Sequence, residues 1–226
     1  MNAVGRRVLL WEANEPKGGV VEFRLTYEGP LLSASPSRDT ERARVGDKHA
    51  IRRHFHRQMK KLWYTNPNLL SRATTPNPDF MFDPSGIYQK GEAELERLAN
   101  NWVENGFRFV PLVHKGSGLN CRIEILMLRE SNPGSILQNR DIDNRIKTLF
   151  DSLQKPASKQ ELGDAVPEEG EDPFFVLLED DRLITHLSVE TDVLLSPVNN
   201  RLDDVRLVLS CKVWPYRIGV GNMDLI

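Results

Sequence analysis

Val205, Leu207, Leu209, Cys211 and Val213 fall on every second position near the end of the chain, and Val21, Phe23, Leu25 and Tyr27 do the same near its start, alternating there with Glu22, Arg24 and Thr26. A period of two puts every apolar side chain on one face of an extended strand. Such a face is stable only in a sheet that another layer covers. Between these strands the period changes. Ile51, Phe55, Met59, Leu62 and Trp63 recur at helical spacing, as do Leu95, Leu98, Ala99, Trp102 and Val103 within residues 92–104, and Ile142, Ile146, Leu149, Phe150 and Leu153.

Asn105-Gly106 reads as the stop of the second helix. Two further strand-like runs, residues 107–113 and 119–128, flank Lys115-Gly116-Ser117-Gly118, which suggests a hairpin. Residues 184–194 and 204–213 read as closing strands. The order predicts an α+β fold, a mixed sheet covered by helices, rather than a doubly wound one. No glycine-rich phosphate loop follows any strand, so the common nucleotide-binding fingerprints are absent.

A length of 226 residues with 39% hydrophobic content suits one well-buried core carrying long insertions. Pro67, Pro76, Pro78 and Pro84 mark residues 66–85 as a loop without a regular element, and residues 156–173 read as an acidic, apolar-poor, mobile loop. Cys121 and Cys211 are too few for a disulfide framework and lie in strand-like runs, so both are expected as buried thiols. No run of about 18 apolar residues is present to cross a membrane, and the start of the chain lacks the order of a signal peptide. A cytoplasmic protein without membrane contact is the expectation.

The net charge of −2 conceals two opposed patches. From Glu41 to Lys61, eight basic residues stand against two acids, whereas Glu161 to Asp181 holds nine acids and no Lys or Arg. Arg52, Arg53, Arg57, Lys60 and Lys61, with Arg42, Arg44 and Arg140, are the candidates for phosphate contacts, which position a nucleic acid without reading its sequence. A solvated helix face is the plain alternative for such a run. His49, His54 and His56 are spaced so that all three cannot share one helical side, which argues against a zinc site and for exposed or phosphate-adjacent rings.

The chemistry is concentrated in Arg140-Asp141-Ile142-Asp143-Asn144-Arg145-Ile146-Lys147. Asp143 and Lys147 are four residues apart on a helix whose start includes Asp141, with Asp151 one turn further on. Acids at a helix start are held ionised by the exposed N–H groups, and hard oxygen donors of this kind suit Mg²⁺ or Mn²⁺. Capping explains Asp141, Asp143 and Asn144 equally well when they are taken alone. The second acidic pair, Asp180-Asp181, precedes an apolar-patterned strand, where capping has no role and a shared cation gives adjacent carboxylates a reason. An ordinary solvated turn is the alternative there.

The run Arg-Asp-Ile-Asp-Asn-x-x-Lys-x-x-x-Asp-x-Leu, with Asp-Asp and a strand downstream, resembles the signature of the RusA family of Holliday-junction resolvases. The resemblance implies a RusA-like fold and a homodimer that cuts four-way DNA junctions symmetrically. It also implies a metal site of Asp141, Asp143 and Asp181, with Lys147 required beside them. Asp180 then stands behind the direct ligands, and Asn144 is a helix cap or an outer ligand. Tyr27-Glu28-Gly29-Pro30 resembles the end of the family's first strand, and regions near residues 66–104 and 156–173 are insertions relative to it. The activity implied is Mg²⁺-dependent hydrolysis of branched DNA. The rival is a DNA-binding protein that keeps the fold without turnover; a metal-diphosphate site of the glycosyltransferase kind is disfavoured because Asp141-x-Asp143 opens a helix rather than following a strand.

Overall fold

A computed structural model describes residues 21–32, 38–74, 94–130, 141–196 and 204–217, and it is an α+β structure with two sheets. Strands β1 (Val21–Pro30), β7 (Asp204–Pro215), β4 (Leu119–Arg129) and β6 (Ile184–Val193) form the larger sheet in that order. β7 is antiparallel to both of its neighbours, and β6 runs parallel to β4 at the edge. The odd-numbered residues of β1, β4 and β7 make one buried face: Val21, Leu25 and Tyr27 meet Leu207, Leu209 and Val213 there, with Ile123, Ile125 and Met127 alongside.

The smaller sheet contains β2 (Val103–Glu104), β3 (Phe107–Val113) and β5 (Phe174–Leu178). The hairpin expected between residues 107–113 and 119–128 does not form, because β3 and β4 belong to different sheets. β3 pairs in parallel with β5, and nearly every residue of both strands is buried. A strand without a polar face needs cover on both sides, which a two-stranded meander cannot supply. Lys115–Ser117 form a single 3-10 turn that carries the chain from one sheet to the other.

Asn105-Gly106 also takes a different role. Both residues have positive φ, 48° and 83°, and they join β2 to β3, the conformation that a two-residue hairpin turn requires. Helix α3 ends earlier and spans Glu94–Asn101. Part of the expected loop after residue 66 is helical as well: α2 covers Pro67–Thr74. The side chain of Asn66 accepts hydrogen bonds from the N–H groups of Asn68 and Leu69, and Pro67 takes the first helical position, where a missing N–H costs nothing. The remaining prolines, Pro76, Pro78 and Pro84, lie outside the described residues.

Helix α1 (Arg38–Thr65) crosses behind both sheets and packs against α4 (Asp141–Leu153), β1, β5 and α2. The acidic stretch between α4 and β5 is packed rather than mobile. Leu162 is buried with Phe107, Phe109, Phe174 and Val176 in a second, smaller core. His49 and His56 of α1 are buried beside it rather than exposed, with His56 stacked on Phe174. The Nδ1 atom of His56 accepts the Phe175 N–H, which leaves Nε2 to carry the proton toward the carbonyl of Gly170. Burial pushes both imidazoles down to about 4, so they are neutral near pH 7. Both cysteines are buried as expected, and burial raises the Cys121 thiol to about 12. Among the described residues, no helix is long and apolar enough to cross a membrane.

Candidate functional site

α4 turns Ile142, Ile146, Leu149 and Leu153 into the core. Its second buried edge is polar but anchored. The Arg145 guanidinium donates to the carbonyl of Leu31, and the Thr148 hydroxyl lies 3.2 Å from the carbonyl of Leu32. These bonds fix the first two turns of α4 beside the finishing end of β1. Asp143 and Lys147 are left exposed on the helix. The side chain of Asp141 and all of Arg140 lie outside the described residues. Asn144 is half-buried, and its carbonyl accepts the Thr148 hydroxyl at 3.0 Å.

An ion pair four residues away would have been the plain explanation of Lys147. Among the described residues it pairs with neither Asp143 nor Asp151. The Asp151 carboxylate is held by Lys48 of α1, while its carbonyl accepts a bond from Arg52. Asp143 and Lys147 therefore face solvent one turn apart, an acid and a cation with no ion-pair partner among the described residues.

Asp180 and Asp181 differ sharply from one another. The Asp180 carboxylate accepts the backbone N–H of Arg182 at 3.0 Å and the Nε and Nη2 donors along one edge of its guanidinium, and Lys115 stands 3.8 Å away. The hydrogen bond from Arg182 holds this carboxyl well below the usual carboxylate range. Asp180 thus closes its own turn rather than facing a neighbouring acid. Asp181 is exposed, and its backbone N–H donates to the Gln154 side-chain carbonyl at 3.0 Å.

Gln154 follows the last turn of α4, whereas Asp143 lies in the first. Eleven residues separate them, about 16 Å of helical rise. The sheet places them in the same sense. Asp181 comes just before Ile184, which pairs with Cys121 near the start of β4; Arg145 and Thr148 bond to Leu31 and Leu32, at the end of the sheet where β4 finishes. Asp143 and Asp181 of one chain consequently stand toward opposite ends of the larger sheet. Among the described residues no group of three acidic, His or Cys side chains converges in the manner of a metal site.

The basic face of α1 is largely used inside the protein. Arg52 is 1% exposed; its guanidinium donates to the carbonyls of Asp151 and Gln154 and touches His49, which removes it from the phosphate-contact set. Arg53 pairs with Glu168 at 2.7 Å and Glu171 at 2.8 Å, and Lys60 donates to the carbonyl of Gly170. The acidic segment neutralises the helix that precedes it. Arg57 and Lys61 remain exposed, and Arg57 lines a groove between α1 and residues 160–168 that also holds Asp164 and Glu168. The side chain of Arg42 lies outside the described residues. At 3.6 residues per turn Arg52 falls within the arc of Met59 and Trp63 and Arg57 on the opposite side of α1, so the helical spacing that marked the apolar stripe was also the signal that separates the two.

No family model, no curated protein and no solved structure matches this chain.

Proposed function

We propose that this chain is a Mg²⁺-dependent, structure-selective endonuclease of the RusA-like type, hydrolysing phosphodiesters in branched DNA such as Holliday junctions and working as a homodimer. The observation that carries this reading is the exposed Asp143 and Lys147 pair on α4, free of ion-pair partners among the described residues while the competing Asp151 is occupied. A carboxylate and an ammonium left unneutralised side by side suit a ligand that supplies both charges, a divalent cation bound to a phosphate.

The donor chemistry fits Mg²⁺ or Mn²⁺, because Asp141, Asp143 and Asp181 offer only hard oxygens. When bound, the ion lowers the pKa of a coordinated water and offsets charge on the departing oxygen. Lys147 places its ammonium against the non-bridging phosphate oxygens, where negative charge accumulates during displacement. Arg57 and Lys61, the cations of α1 left exposed, contact backbone phosphates away from the scissile bond.

The separation of Asp143 from Asp181 within one chain is the reason for two copies. β6 is the edge strand of its sheet among the described residues, and it carries Leu187 at 42% and Val189 at 36% exposure. A long exposed edge strand is a template for another strand. Pairing two β6 strands antiparallel about Ser188 sets Leu187 opposite Val189 and His186 opposite Glu190, apolar against apolar and imidazole against carboxylate. This register also carries Asp181 of one copy to the end of the sheet from which α4 of the other begins.

The experiment incubates the protein with a synthetic four-way junction, a linear duplex and a single strand, with Mg²⁺ or EDTA. Metal-dependent paired nicking of the junction alone is the expected result. Mixing Asp143→Asn with Asp181→Asn chains, each inactive by itself, restores single nicks if the site is shared between copies. Junction binding without cleavage by the wild type would reject the enzyme and favour a DNA-binding protein on the same fold.

A further inference from the structure

Glu130 and Asp204 are not part of the motif, yet they carry the least satisfied carboxylates of the described structure. Asp204 opens β7 and is 4% exposed, and neither of its oxygens has a hydrogen-bond partner. Glu130 follows the last residue of β4, and its Oε1 is likewise buried without a partner. The β4–β7 register ends at Arg129 paired with Val205, which makes Glu130 and Asp204 the next residues of the two strands at that end of the sheet. On its other side Asp204 pairs with Pro30 of β1.

Like charges directly opposite each other on adjacent strands repel, and burial without a partner adds a desolvation penalty for each ion. Among the described residues neither acid forms a salt bridge. The nearest cation along β7, Arg206, is engaged with Glu28 of β1 at 2.8 Å. Tyr27, whose hydroxyl donates to the Pro30 carbonyl at 2.8 Å, has its phenol pushed up to about 12, first by burial and then by the negative charge of Asp204.

We propose that Glu130 and Asp204 bind a divalent cation at the end of the larger sheet where β4 finishes and the first turns of α4 pack. Three buried carboxylate oxygens without a hydrogen-bond partner among the described residues offer a hard-donor set. Two carboxylates are enough for Mg²⁺ or Mn²⁺, which keep several of their own waters. A cation there converts the cross-strand repulsion into the tie that holds the start of β7 to the end of β4. The site uses neither Asp143 nor Asp181 and stands whether or not the chain cuts DNA.

The test counts Mn²⁺ ions bound by the full chain, using the loss of free-ion electron paramagnetic resonance signal. The proteins compared are wild type, Glu130→Gln, Asp204→Asn and Asp143→Asn, with thermal unfolding of each followed in EDTA and in Mn²⁺. Expected is one ion fewer, or at least ten-fold weaker binding of one ion, in both Glu130→Gln and Asp204→Asn, while Asp143→Asn keeps that ion. Mn²⁺ should raise the unfolding temperature of wild type and of Asp143→Asn more than that of the other two. Equal ion counts in wild type, Glu130→Gln and Asp204→Asn would overturn the proposal. If neither amide variant folds, the wild type decides: absence of a bound ion and of any Mn²⁺-induced stabilisation would overturn the proposal.

Discussion

Two charged helical surfaces, the basic face of α1 and the first turns of α4, show opposite uses of charge. On α1, Arg52, Arg53 and Lys60 are bound to carbonyls and carboxylates of the last turn of α4 and the segment that follows it. On α4, Asp143 and Lys147 are exposed and make no ion pair among the described residues. A dense run of like charge met by an opposed run elsewhere in the chain is a packing device. A sparse pair left unneutralised is what a ligand can use.

The sharpest way to break this contrast is Asp143→Asn, which should lower junction cleavage by about a hundred-fold or more while leaving the unfolding temperature nearly unchanged. Cleavage kinetics beside a melting curve check both halves, and a large loss of stability would mean that Asp143 is structural. Replacing Lys147 by Met should reduce cleavage by about ten- to a hundred-fold, with junction binding reduced much less; equal losses in both would make the ammonium a binding contact only.

The converse holds on α1. Arg52→Ala leaves the carbonyls of Asp151 and Gln154 without their donor and opens space in the core, for a loss of about 2–4 kcal/mol in denaturant unfolding. Its DNA affinity per folded molecule should not change. Arg57→Ala should do the reverse, weakening junction binding and flattening its salt dependence by about one counterion, with stability held within about 0.5 kcal/mol.

Acid should act on the α1 side through His49 and His56. Their folded-state values, about 4, lie below the ordinary 6.5, so the unfolded chain binds protons that the folded one refuses. Their contribution to stability is therefore complete above pH 6.5 and is lost as pH falls toward 4. Unfolding temperatures measured across that window should decline, and His56→Gln should decline less. An unchanged slope in that variant would place the proton uptake elsewhere.

Much of the architecture was legible because it is written in local period. The buried faces of β1 and β7 follow from alternation, and the core stripes of α1 and α4 from 3.6-residue spacing. Asn105-Gly106 and Asn66-Pro67 were legible in principle, but their chemistry serves two ends: Asn-Gly stops a helix or turns a hairpin, and Asn-Pro breaks a segment or caps the next one. Which applies depends on whether a partner strand or a packing surface is present.

The candidate site divides in the same way. Sequence by itself determined the α+β class, the helix that displays Asp143 and Lys147 on one side, and the acidic turn at Asp180-Asp181. Tertiary structure alone decided that Arg52 donates to the carbonyls of Asp151 and Gln154, that Lys48 takes Asp151, that the acidic stretch between α4 and β5 is packed against α1, and that Asp143 and Asp181 lie toward opposite ends of a sheet. The physical reason is range. Periodicity and capping act over one or two turns, whereas neutralisation and burial depend on charges and surfaces brought together from a hundred residues away.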